Sequence, residues 1–210
     1  MKKLITFLFT LLISATSMQA TEIDGIYYDL DLSTRTATVI SGTNKYTGAV
    51  SIPATVQNIG GVEFNVTGIG EGAFHGCSEL TSIDIPNSVT SIEECAFLNC
   101  PSLTSITIPS SVANLGERAF SLCSGLTSVI VDENNSVYDS RSNCNAVIET
   151  ATNRLIFGCK NSVILNSVTC IGVGAFGNCS DLTSIDIPTS VTSIENGAFF
   201  GNRFDIRHYS

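Results

Sequence analysis

The sequence predicts a strand-rich α/β solenoid with 23-residue repeats, and three observations predict it. Five Ala-Phe pairs recur, at Phe74, Phe97, Phe120, Phe176 and Phe199. The first three phenylalanines stand 23 residues apart, as do the last two, and the gap from Phe120 to Phe176 is 56, one period plus 33. Within each period the apolar spacing changes from that of a helical turn to that of a strand. A unit this small cannot bury an apolar face alone, so a fixed period of this length marks repeats stacked on one another.

The chain opens on an expected secretory signal over residues 1–20. Lys2 and Lys3 form a basic start, residues 4–13 an apolar run, and residues 14–20 a small, polar end. That run is too short to span a bilayer of about 30 Å. Cleavage is expected after Ala20, with Ser17 as the alternative, and no later segment reads as a membrane span. Residues 21–68 read as an N-terminal cap with a first partial repeat. There, 26–31 and 36–40 alternate apolar and polar residues around Leu-Ser-Thr-Arg, the pattern of a β-hairpin. Pro53 to Pro86 is 33 residues, one repeat plus ten, with the extra segment near Gly60 to Asn65.

Residues 69–131 carry the regular repeats. In the copy over 92–112 the fixed apolar positions are Ile92, Ala96, Phe97, Cys100, Leu103, Ile106, Ile108 and Val112. Ala96, Phe97 and Cys100 have the spacing of one face of a short helical turn. Ile106 and Ile108 alternate with Ser105 and Thr107, as in a strand buried on one face. Pro109 has no N–H for the ladder and ends that strand. Ser110 and Ser111 supply a turn, and the β-branched residues that follow predict a second short strand.

Residues 132–163 are an insertion. It begins with a polar loop, Asp132-Glu-Asn-Asn135, and contains a hairpin candidate of 146–149 and 154–157 around Thr150 to Asn153. In the register that pairs Ala146 with Phe157 and Glu149 with Arg154, Cys144 and Cys159 fall directly opposite each other. That spacing predicts a disulfide between them. Residues 164–210 resume the repeat in phase, since Ile164 precedes Ile187 by 23. At the end Asn202 stands where the repeat expects Cys, and Phe204 and Ile206 alternate with Asp205 and Arg207 as a short closing strand.

The repeat resembles the leucine-rich repeats of the BspA-like family of bacterial surface proteins, from about Val50 to Asn202. Leu-Thr-Ser-Ile-Asp-Ile-Pro at 80–86 recurs identically at 182–188, and Ala-Phe-x-x-Cys returns in register. The resemblance implies a right-handed leucine-rich-repeat solenoid, a secreted or cell-surface location, and adhesion or other binding as its role. It implies no catalytic residues.

Composition narrows the function further. The formal charge is −9, and loss of Lys2 and Lys3 makes it −11. So acidic a chain repels phosphate backbones and anionic bilayers, which argues against nucleic acid and membrane surfaces as partners. Cys77, Cys100, Cys123 and Cys179 sit three residues after repeat phenylalanines and read as buried, free thiols acting as small hydrophobes. One Cys per repeat does not converge into the paired spacing of a zinc site, so no metal or cofactor is expected. The two histidines, His75 and His208, have no nucleophile-and-base constellation around them, Glu93 and Glu94 diverge, and Asp132 to Asn134 lacks a calcium-loop pattern. No catalytic residue is expected.

The candidate binding surface is the outward side of the strands: Ser82, Asp84, Ser105, Thr107, Ser128, Ile130, Ser184 and Asp186. Tyr138 is added from the insertion. Tyr27, Tyr28, Tyr46 and Tyr138 could stack on sugars or could complete small local cores. The expected partner is an extracellular protein or glycan. A carbohydrate-binding accessory module and a structural spacer are the alternatives.

Overall fold

A computed structural model describes residues 20–202 and, as a strand of main chain, 205–208. Apart from Ala20, the expected export signal lies outside the described residues, as does Phe204 of the expected closing strand. The described chain is strand-rich, and its only helical element is a 3-10 turn, Arg141–Asn143.

The absence of an α-helix among the described residues corrects the α/β expectation, and the hydrogen bonds give the reason. In the Ala-Phe segment alternate N–H groups turn back three residues: Ala73 to Gly70 O, His75 to Gly72 O and Cys77 to Phe74 O. The N–H groups between them point away and reach the next turn of the stack. Gly72 donates to Glu94 O at 3.2 Å, Phe74 to Ala96 O at 2.7 Å and Gly76 to Leu98 O at 2.8 Å. An α-helix needs every N–H bonded four residues back. Two positions per repeat also have left-handed backbone: Gly72, Cys95, Arg118, Gly174 and Gly197 in one series, and Gly76, Asn99, Leu122, Asn178 and Gly201 in the other. Residues at positive φ end a right-handed helix.

The strands follow the repeat. Ser105–Ile108 pairs in parallel with Ser128–Val131, with Ser105 opposite Ser128. On a second side, the two-residue strands Ser91–Ile92 and Asn114–Leu115 pair in parallel, and Ser91 also faces Gly68 of Glu63–Ile69. Beyond the insertion, Cys170–Ile171 and Ser193–Ile194 pair likewise. Each of these registers is offset by 23 residues. The offset puts side chains of one repeat position on top of each other. Phe74, Phe97 and Phe120 form a stacked column with centroids 4.8 and 5.1 Å apart. Tyr46 extends it at one end and Phe157 at the other, both tilted. Cys100 donates its Sγ–H to Phe74 O, and Cys123 to Phe97 O, both at 3.0 Å. Asn202 performs the same task at the expected Cys position, its Nδ2 reaching Phe176 O at 2.7 Å.

The expected N-terminal hairpin is present: Ile26–Asp31 runs antiparallel to Thr36–Ile40, which passes the ladder on to Glu63–Ile69. The ten extra residues before Pro86 form part of a second hairpin, Thr55–Gln57 against Glu63–Ile69. Asp31 builds the first turn, its Oδ1 accepting from Ser33 N at 2.7 Å, Ser33 Oγ at 2.6 Å and Thr34 N at 3.3 Å. These bonds favour the carboxylate and hold its pKa down at about 2. A depressed folded pKa contributes stability above the unfolded value and loses it as pH falls through the folded one. Carboxyl NMR is therefore expected to show Asp31 titrating near 2, with the hairpin turn loosening over the same range. A midpoint at the ordinary value near 3.9 would contradict the turn.

The insertion enters the stack instead of looping out of it. Its hairpin is Ala146–Glu149 against Arg154–Gly158, and Arg154–Gly158 pairs in parallel with Cys170–Ile171. Arg154 also forks onto Glu195, Nε to Oε1 at 3.2 Å and Nη2 to Oε2 at 2.5 Å. The hairpin register departs from the expected one. Glu149 faces Arg154, but a bulge between Val147 and Ile148 puts Ala146 opposite Gly158. The expected Cys144–Cys159 disulfide is accordingly not found: both thiols are free. They belong to different core clusters, Cys159 with the Phe97 side and Cys144 with the Phe176 side. A bulge of one residue turns one of two facing side chains to the other face.

Candidate functional site

The first candidate is the strand face. Gly48–Ser51 pairs with Leu80–Asp84, so Ala49 lies beside Ser82 and Ser51 beside Asp84. Ser51 Oγ donates to Asp84 Oδ2 at 3.1 Å across the strands. In the next pair Ser105 lies beside Ser128 and Thr107 beside Ile130. Ser82, Asp84, Ser105 and Thr107 are exposed, Ser128 is half-buried, and Ile130 is 50% exposed. Their inward neighbours Ile106, Ile108, Val129 and Val131 are buried. This is the period-2 alternation of a sheet with one wet face.

The structure puts Ser105, Thr107, Ser128 and Ile130 on one strand pair and Ser82 and Asp84 on an adjoining pair in contact with it, and sets two apart. Ser184 and Asp186 are exposed but belong to a separate pair, Ser184–Ile187 with Asp205–His208. The insertion ends the first ladder. Side chains satisfy the free edge of Ser128–Val131: Asn145 Oδ1 accepts from Val129 N at 2.6 Å and Ser140 Oγ from Val131 N at 3.0 Å. Asn145 and Asn161 also donate to Thr127 O, at 2.8 and 3.1 Å. Side chains that occupy an edge in this way stop it templating another strand.

Tyr138 is not a surface residue. It is buried, and its hydroxyl accepts from Leu115 N at 3.1 Å. Tyr28 and Tyr46 are buried as well, and burial raises the pKa of Tyr46 to about 12. Three of the four tyrosines thus complete cores. The Tyr46 and Tyr138 hydroxyls are paired while their rings are hidden, as suits a phenol ring with one polar end, whereas the Tyr28 hydroxyl is buried without a partner among the described residues.

The second candidate, which sequence reasoning missed, lies at the seam where the insertion meets the stack. In a regular repeat three N–H groups of each Ala-Phe segment bond to the next one. Cys95 donates to Glu117 O, Phe97 to Ala119 O and Asn99 to Ser121 O. At the seam only the third survives, Leu122 to Gly177 O at 3.3 Å. The carbonyl of Ala175, which Phe120 would reach, instead accepts from Gly158 of the insertion at 2.9 Å. Neither Arg118 N nor Phe120 N has a hydrogen-bond partner among the described residues.

The seam holds a mostly apolar groove of about 400 Å³, lined among others by Cys95, Leu98, Arg118, Leu122 and Phe200. Phe200 is 72% exposed. Arg118 makes no ion pair, and its guanidinium no hydrogen bond, among the described residues. A Cβ on Gly174, which has φ +63°, would stand 3.2 Å from Arg118 Cγ. Glycine there lets the arginine stem lie against the groove. Burial, then the Glu94 carboxylate, raises the pKa of Cys95 in the same groove. The signal that could have exposed this site is the 33-residue break in the period. A substitute turn inserted on one side must disturb the bonds on another.

Other sequence candidates stay apart. His75 is exposed, and no group of three or more His, Cys, Asp or Glu among the described residues is placed to hold a metal ion. Asp132 Oδ1 accepts from Asn134 N and Nδ2 within its own turn. No described helix is long and apolar enough to cross a membrane.

Comparisons agree with this geometry. A family model for the BspA type leucine rich repeat region matches residues 43–154 and 155–207, in six copies. A crystal structure of a leucine rich cell surface protein from Faecalibacterium prausnitzii has a TM-score of 0.52 at 21% identity, covering 94% of this chain and 78% of its own. That is a likeness of fold. A leucine-rich repeat protein from Bacteroides ovatus scores 0.45 at 22% identity, over 88% of this chain and 52% of its own. The pneumococcal vaccine antigen PcpA scores 0.43 at 15% identity, over 85% and 67%. No curated protein matches the chain.

Proposed function

We propose that this chain, which belongs to the BspA-type leucine-rich-repeat family, is a secreted or cell-surface binding protein without catalytic activity. Its stacked turns form a leucine-rich-repeat solenoid, capped at the N-terminal end by the hairpin of Ile26–Asp31 and Thr36–Ile40. The partner is an extracellular macromolecule. The observation that carries the reading is the row Ser82, Asp84, Ser105, Thr107 and Ile130, outward-facing on parallel strands above a continuous core. Such a surface offers many small hydroxyl and carboxylate contacts on a rigid frame, which suits broad, moderate-affinity recognition.

A protein partner is favoured over a glycan. Stacking of a sugar on an exposed aromatic ring favours glycan recognition, and the proposed strand-face residues Ser82, Asp84, Ser105, Thr107 and Ile130 include no aromatic, while Tyr28, Tyr46 and Tyr138 are buried. The expression of export rests on the basic start and apolar run of residues 1–20 and on the cell-surface relative.

Arrays of extracellular matrix proteins and glycans, probed with the full chain and with Ser105→Arg/Thr107→Arg, test this reading. The expected result is saturable binding to one or more proteins that the double substitution weakens at least tenfold. Uniform absence of binding, or turnover of an arrayed component, would overturn it.

A further inference from the structure

We infer that the seam groove is a second binding site, independent of the strand face, that takes an extended peptide segment in which apolar residues stand next to carboxylates. Three features point to this occupant. The groove's volume of about 400 Å³ falls in the range of roughly 300–1,000 Å³ typical of ligand sites. Leu98, Leu122 and the exposed Phe200 give it an apolar lining that can hold side chains such as Leu or Phe.

Its charge is the second feature. The chain is acidic overall, with formal charge −9, and the Glu94 carboxylate lies against Cys95 at the groove, yet Arg118, the cation lining the groove, has no ion-pair partner among the described residues. Arg118 is exposed and laid against Gly174. A guanidinium in that state offers a planar fork to a carboxylate, which an arginine binds through two parallel N–H bonds.

The third feature is main chain. In the regular repeats the N–H groups equivalent to Arg118 N bond to the following turn: Gly72 to Glu94 O, Cys95 to Glu117 O and Gly174 to Asn196 O. At Arg118 no such bond is found among the described residues, although Leu122 to Gly177 O keeps the repeat's phase and Gly158 of the insertion takes the neighbouring Ala175 O. An extended segment supplies the missing carbonyl, and its alternate side chains reach the apolar lining and the guanidinium. A lipid carboxylate could pair with Arg118 and fill the lining, but it has no row of carbonyls.

Cys95 makes the site self-reporting, since a half-buried thiol that lines the groove is shielded by whatever fills it. The probe is a labelled octapeptide centred on Glu-Leu-Phe-Glu, compared with its lysine-for-glutamate version and with octanoate. Anisotropy reads binding to the full chain, and mass spectrometry reads iodoacetamide labelling of Cys95, with half-buried Cys170 as the internal control.

The acidic peptide is expected to bind and slow Cys95 labelling at least fivefold while leaving Cys170 unchanged. Arg118→Glu and Phe200→Ser are each expected to weaken it at least tenfold, and Ser105→Arg/Thr107→Arg to leave it unchanged. Both groove positions are exposed, so neither change removes core packing. No binding, equal binding of the lysine peptide, or binding without Cys95 protection overturns the inference. Protection by octanoate alone assigns the groove to a lipid, and protection that rises with protein concentration alone assigns it to a second copy. Either result also overturns the peptide assignment. Loss of binding through the strand-face change would merge the two sites and remove their independence.

Discussion

Phe97→Ala is expected to destabilise the protein by roughly 3–5 kcal/mol, the cost of emptying a buried aromatic site. Phe97 is fully buried and lies between two rings, 4.8 Å from Phe74 and 5.1 Å from Phe120, nearly parallel to both. Its removal takes away both stacking partners at once and leaves a gap in the middle of the column. The neighbouring turns are held by main-chain bonds on either side, such as Phe97 N to Ala119 O at 2.7 Å, so they cannot collapse to fill it. Ser105→Ala, on the wet face of the same repeat, is expected to change stability by less than about 0.5 kcal/mol. Urea unfolding of the two variants side by side checks this. Similar midpoints would contradict the facing of the repeat.

Asn135→Ala is expected to cost about 3 kcal/mol, more than its size suggests. The side chain is buried, and its Nδ2 donates to Pro109 O at 2.7 Å and Val112 O at 2.9 Å. Its Oδ1 accepts from Val137 N at 2.9 Å and Tyr138 N at 2.8 Å. One amide thus ties the last regular repeat to the first strand of the insertion. Alanine would leave several main-chain groups unpaired, each worth about 1–3 kcal/mol where water cannot replace the bond. Asn134→Ala, one residue earlier and exposed, loses only a bond within its own turn. Equal thermal stability of the two alanine variants would show that Asn135 is not the pin it appears in the bonding pattern.

These two positions show what was legible in the sequence. Phe97 could be read directly, because a 23-residue recurrence of Phe requires equivalent positions to stack. The outward placing of Ser105 and Thr107 followed from their alternation with Ile106 and Ile108. The Ile26–Asp31 hairpin was equally readable, from alternation on both sides of a polar turn. Asn135 was not, since Asp-Glu-Asn-Asn reads as solvated loop and nothing local marks its second Asn as buried.

The Ala-Phe segment misled for a related reason. Spacings of one and four match a helical turn, but Cys95 and Asn99 have positive φ and their N–H groups bond to the next turn of the stack, which local spacing does not reveal. The hairpin at 146–158 was visible and its register was not, because one bulge shifts every facing pair beyond it. Tyr138 was placed outside since its partner, Leu115 N, lies 23 residues away in sequence. The seam groove was hidden most completely. It arises from bonds that the insertion removes, and no residue type announces a missing bond.

The central claim is that the insertion occupies a turn of the stack and thereby removes two of the three main-chain bonds between the segments around Phe120 and Phe176, those of Arg118 N and Phe120 N. Amide hydrogen exchange resolved by residue tests it most directly. Cys95 N and Arg118 N hold equivalent positions, but among the described residues only Cys95 N is bonded, to Glu117 O at 3.1 Å. The account predicts strong protection at Cys95 and Phe97, little at Arg118, and protection again at Gly174 and Phe176. Equal protection of Cys95 and Arg118 would mean an unbroken stack and would contradict the account.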